Sequence, residues 1–169
     1  MTLILTLIRP EGVWQSADNR VSRNGATVDD AAPKQLHIIF PPDNAGPKAL
    51  IAFTGLAELS DGTPTLQWIR ETLRGETRSI MESLGHLRER LTRDVGQTKA
   101  WGAPLVLTGG IFEGDKRFYV EMRNIDPRTR RVRREFDYAV AEVNEPMVFM
   151  GGSGAVSISR ADVLSLIHI

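Results

Sequence analysis

The chain has 169 residues, 41% hydrophobic and 25% charged, which suits one ordinary globular domain with a real core. Lys plus Arg equals Asp plus Glu, 21 against 21, so there is no global pull toward nucleic acid or an anionic membrane. It has no cysteine, which excludes disulfides, thiolate catalysis and Cys-zinc sites; no run is long and apolar enough for a membrane span, and no signal-peptide pattern opens the chain, so the expected location is cytoplasmic.

The chain opens on an apolar run, and residues 3–8 are predicted as a buried strand directly behind Met1-Thr2. Arg9-Pro10-Glu11-Gly12 reads as a tight turn. Val13 to Ser22 is predicted as a returning strand, apolar at first and polar around Ser16-Ala17-Asp18-Asn19-Arg20. A loop then runs to Pro33. Gln35 to Phe40 is β-branched and aromatic enough for a strand. Residues 41–47 form a loop, and Ala49 to Thr54 a strand that stops at Gly55.

The period then changes. Leu66, Ile69 and Leu73 predict a helix that stops at Gly75. Ile80, Leu84, Leu87, Leu91 and Val95 predict an amphipathic helix ending near Gly96. The pair should form a hairpin over one face of a sheet. Strands return at 105–110 and 117–122 around Gly114-Asp115, then at 134–143 and 146–150, closing on Gly151-Gly152-Ser153-Gly154. A last helix is predicted to start at Ser159, with Asp162 as capping-box partner. Blocks of strand and helix, not strict alternation, predict an α+β fold with antiparallel sheets.

The three histidines, at 37, 86 and 168, have neither nucleophile-elbow nor metal-ligand spacing. No phosphate-binding glycine loop or dinucleotide fingerprint is present. An N-terminal threonine carries nucleophile and base on one residue, because a free α-amine has a pKa of about 8. Removal of Met1 would expose Thr2 in that way. Such a site also needs a cation beside the hydroxyl, a carboxylate to hold the cation, and N–H donors for an oxyanion. Lys34, Asp18, Gly55 and Ser153 are candidates. Read without chemistry, Asp18 is a turn cap, Lys34 a surface lysine, Gly55 a turn glycine and 151–154 a loop. Arg128 to Arg134 is read as a solvated hairpin in preference to a nucleic-acid patch, since no aromatic residues interleave. Leu84 and its helical neighbours, with Trp68 and Trp101, are read as packing residues.

The pattern Thr2, Ala17-Asp18-Asn19-Arg20, Lys34, Thr54-Gly55-Leu56-Ala57 and Gly152-Ser153-Gly154 resembles the proteasome β-subunits and HslV-type peptidases, threonine-type N-terminal nucleophile hydrolases. The gaps from Thr2 to Asp18 and to Lys34 match the family's own. The resemblance implies a single four-layer αββα sandwich over residues 1–169, lacking its C-terminal part, with 164–169 read as non-native sequence. It implies Thr2 as nucleophile, its amine as proton acceptor, Lys34 lowering the hydroxyl's pKa, and Asp18 holding Lys34. Gly55 would supply an oxyanion N–H, Ser153 would bond near the amine, and Arg20 and Ser22 would line the substrate cleft. It further implies a peptide or unfolded-protein substrate, a homo-oligomeric ring, an ATP-dependent unfoldase as partner, and no metal or organic cofactor. The rival expectation is a non-catalytic structural subunit of such a ring. Glu58 and Leu59 stand where the family usually has an aspartate.

Overall fold

In a computed structural model the described residues are 2–23, 26–29, 31–40, 46–98 and 102–152, with side chains omitted at 21–28. The expected helix at Ser159, Ser153, Trp101, His168, most of the 41–47 loop and the segment 164–169 lie outside them.

The first block is all strand: β1 (Ile4–Arg9), β2 (Gly12–Ala17), β3 (Val21–Arg23), β4 (Ala26–Asp29), β5 (Gln35–Ile39) and β6 (Lys48–Gly55). Helices α1 (Thr65–Leu73) and α2 (Ile80–Leu91) follow, with one π-helical turn at Thr92–Gly96. The chain returns to β7 (Leu105–Glu113), β8 (Lys116–Ile125), β9 (Val132–Glu142) and β10 (Met147–Gly151). β5-β6-β7-β8-β9 form a five-stranded antiparallel sheet, β10-β1-β2 a three-stranded one, and β3-β4 a separate hairpin.

That hairpin falls in the stretch expected to be the end of one strand and a loop. Arg23 pairs with Ala26, and the intervening Asn24-Gly25 is a pair that two-residue hairpin turns favour. The Ala26-Thr27-Val28-Asp29 alternation is itself a strand signal, but the surrounding Asn, Asp and Gly residues read as a loop.

Both helices cover one face of the five-stranded sheet. Leu66, Ile69, Ile80, Leu84, Leu87 and Leu91 pack with Ile51, Phe53, Leu107, Met122 and Phe136 in one buried cluster. Trp68 is buried with them. α2 starts because Ser79 and Glu82 cap each other: the Ser79 Oγ accepts from the Glu82 N–H, and the Glu82 carboxylate accepts from the Ser79 N–H at 3.0 Å. Ser79→Ala removes this pair and should lower stability by about 1 kcal/mol, read as a lower urea midpoint at unchanged slope.

The other face of the five-stranded sheet packs on the three-stranded sheet. Alternation along β1 turns Ile4, Thr6 and Ile8 inward, all at most 1% exposed. The Gln15 amide donates to Thr6 Oγ1 at 3.0 Å and to the Thr108 carbonyl at 3.2 Å, tying the sheets together. Tyr119 stacks on Phe149 at 3.8 Å between ring centroids.

The layers are therefore helix, five-stranded sheet, three-stranded sheet. This corrects the expected four-layer αββα sandwich: among the described residues the molecule is mostly β, and no helix covers the outer face of the three-stranded sheet, where Trp14 is 50% exposed. The physical reason is in the sequence. Helical periodicity within the described region occurs only between residues 65 and 96, so there is material for one helical layer. No described helix is long and apolar enough to cross a membrane.

Candidate functional site

The start of β1, the end of β2 and the start of β5 meet at one end of the sandwich. β1 and β2 pair from Ile4↔Ala17 to Arg9↔Gly12, so the residues just outside the ladder, Leu3 and Asp18, face each other. The Asp18 N–H donates to the Leu3 carbonyl at 3.1 Å, and the Leu3 N–H donates to Asp18 Oδ2 at 2.9 Å. Asp18 is thus locked beside Thr2 by the backbone of the next residue. β5 is carried to the same place by its ladder to β6 and by the Phe53 N–H, which donates to the Lys34 carbonyl at 3.0 Å.

These constraints bring Thr2, Asp18 and Lys34 together. Lys34 Nζ donates to Thr2 Oγ1 at 3.0 Å and to Asp18 Oδ1 at 3.0 Å, and it also donates to the Arg20 carbonyl. Lys34 is only 4% exposed, so it is no surface lysine. A buried ammonium must have its three N–H groups satisfied and its charge paired, and here three oxygens do so. Burial pushes the Asp18 carboxyl up, but hydrogen bonds from Lys34 and the Leu3 N–H, with the Lys34 charge, outweigh it. The net result lies below the ordinary carboxylate value.

Of the other expected residues, Arg20 acts through its carbonyl on Lys34, while its side chain is exposed. Its N–H donates to Asp18 Oδ1 at 3.2 Å. Gly55 ends β6 two residues beyond Phe53, with φ of +104°. Ser22 lies in β3, two residues beyond Arg20, and pairs with Thr27 of β4. Ser153 lies outside the described residues, but its neighbour Gly152 is in place. A Cβ on Gly152 would sit 2.2 Å from the Thr2 carbonyl oxygen, and its φ is +89°. The residue just beyond β10 therefore lies against the Thr2 backbone.

Two contributors carry no catalytic signature in the sequence. Gly152 belongs to the Gly152-Ser153-Gly154 motif, which gives it no role of its own. Asn124, fully buried in β8, donates to the Ala103 carbonyl at 3.0 Å and accepts the Leu105 N–H at 2.7 Å. It holds Pro104, whose carbonyl accepts the Leu56 N–H at 3.0 Å and lies 2.0 Å from where a Gly55 Cβ would be. An asparagine inside a strand gives no pattern that would have revealed this.

Chemically, the arrangement presents a hydroxyl to a buried, anchored ammonium. Among the described residues no three His, Asp or Glu side chains gather as a metal set. Comparison with known protein-family models and with curated proteins finds no match for this chain.

Proposed function

We propose that the protein is a threonine-type amidohydrolase that cuts peptide bonds through an acyl-enzyme on Thr2, exposed by removal of Met1. The observation that carries this reading is the contact of the buried Lys34 ammonium with Thr2 Oγ1, in a chain position where the same residue can offer a free amine.

In the first step the Thr2 amine takes the hydroxyl proton, directly or through a water, and Oγ1 attacks the amide carbon. The C–O bond forms as the carbonyl electron pair moves to oxygen. The nearby Lys34 charge favours the alkoxide, and Asp18 fixes Lys34. The protonated amine then gives its proton to the departing nitrogen as the C–N bond breaks. Water, deprotonated by the same amine, attacks the ester carbon; the C–Oγ1 bond breaks, the amine returns its proton to Oγ1, and the acid leaves. In this reading Gly55 supplies the oxyanion N–H, Ser153 bonds near the amine, and Arg20 and Ser22 line the cleft.

The resemblance to proteasome β-subunits and HslV-type peptidases supports this reading. It extends the proposal to a cytoplasmic homo-oligomeric ring with an unfoldase partner. An assembly subunit with no activity is the competing reading.

Kinetics on a panel of fluorogenic peptide amides test the proposal. The rate should rise as pH passes through about 8, where the α-amine loses its proton. On the acid side the Asp18–Lys34 pair should persist. A carboxylate with a depressed pKa keeps its stabilising contribution above the unfolded value and loses it only as pH falls through the folded one. Its loss therefore begins within the ordinary carboxylate range and is complete only below the depressed folded value. Thr2→Ser should retain activity and Thr2→Ala should lose it. Equal rates for the two variants would overturn the proposal.

A further inference from the structure

The end of the sandwich opposite Thr2 holds an open cavity of about 370 Å³, where the β1–β2 turn overhangs the five-stranded sheet. Its size is at the lower end of small-molecule sites, about 300–1,000 Å³. The interior is apolar. Val13 comes from the turn side, and Leu50 and Phe112 from the sheet below. Gly110 adjoins them with no side chain; a Cβ there would meet Val13 Cγ1 at 2.2 Å.

The charged lining has both signs. The cation Lys48, with the imidazole of His37 beside it as a hydrogen-bonding group, lies on the face of β6 and β5 that looks toward the three-stranded sheet. Glu11 lies on the overhanging turn. A purely anionic apolar ligand would meet Glu11, and a purely cationic one would meet Lys48. A ligand carrying both charges close together satisfies each wall while its apolar part occupies the middle.

We infer that this cavity binds a free apolar α-amino acid, with its carboxylate toward Lys48 and His37, its ammonium toward Glu11 and its aliphatic chain against Val13, Leu50 and Phe112. The site stands apart from Thr2 and does not depend on the reading given for it.

The test is an NMR titration of the full chain with L-leucine, 4-methylpentanoate and 3-methylbutylamine, which share an aliphatic body and differ in charge. Leucine should bind about tenfold tighter than either singly charged analogue. Lys48→Met should weaken leucine and the carboxylate about tenfold while leaving the amine unchanged, and Glu11→Gln should weaken leucine and the amine while leaving the carboxylate unchanged. Both residues are exposed, so both variants should keep the parent melting temperature. Leu50→Trp, which fills the interior, should remove all three. Equal binding of the three ligands, indifference to both charge variants, or no leucine binding at millimolar concentration would overturn the inference.

Discussion

Lys34→Met should lower kcat/KM for peptide-amide hydrolysis by about 10²- to 10⁴-fold, almost wholly in kcat. Methionine nearly matches the lysine stem but brings no charge and no donor. Thr2 Oγ1 then loses its 3.0 Å partner, and Asp18 loses the cation it holds. The fold should survive, because Asp18 keeps the Leu3 and Arg20 N–H donors and its side chain, 35% exposed, reaches water. Lys34→Arg should not rescue the rate. The slot is sized for a compact ammonium between Thr2, Asp18 and the Arg20 carbonyl, and a planar guanidinium presents its donors in a different geometry. Steady-state kinetics with melting temperatures measured alongside check both points. An unchanged kcat in Lys34→Met, with the protein folded, would remove Lys34 from the mechanism.

Gly152→Ala should damage stability and activity together. At φ of +89° an alanine is strained, and its Cβ would press to 2.2 Å from the Thr2 carbonyl oxygen. Holding a non-glycine residue in such a region costs about 1–3 kcal/mol, before the collision is relieved. Relief can come only by moving β10 or Thr2. A misplacement of about 1 Å at a nucleophile costs about 10²-fold in rate. A chemical denaturation curve and kcat/KM on the same preparation read the two effects. Parent-like values for both would mean that Gly152 does not lie against the Thr2 backbone as described.

The Thr2–Asp18–Lys34 group was legible because each member sits at a strand boundary that apolar runs and turn residues mark out. Leu3 to Ile8 starts at once after Thr2, Pro33 precedes Lys34, and Gly12 sets the register that returns Asp18 to Leu3. The two helices were equally plain, since their leucine and isoleucine stripes have a single period. The π-helical turn at Thr92–Gly96 was not, because the step from Leu91 to Val95 fits an α-helix as well. The layering was misjudged for a different reason. Periodicity tells which face of an element is buried, but not whether another layer lies beyond it. The outward alternation of Leu5, Leu7 and Val148 looks the same in a covered sheet and in a sheet whose described surroundings leave Trp14 half exposed. The part played by Asn124 depends on contacts some twenty residues away along the chain, which no local pattern encodes.

The central claim is that Thr2 is a nucleophile carrying its own base. Intact-mass measurement before and after treatment with a peptide epoxyketone tests it most directly, since that warhead closes a ring only on a hydroxyl and a free α-amine of one residue. The account predicts a mass lacking Met1, then a single adduct on the parent chain and none on Thr2→Ala. A chain that keeps Met1, or one that ends cleanly in Thr2 yet gains no adduct across a panel of differing peptide epoxyketones, would contradict it and favour the non-catalytic assembly subunit.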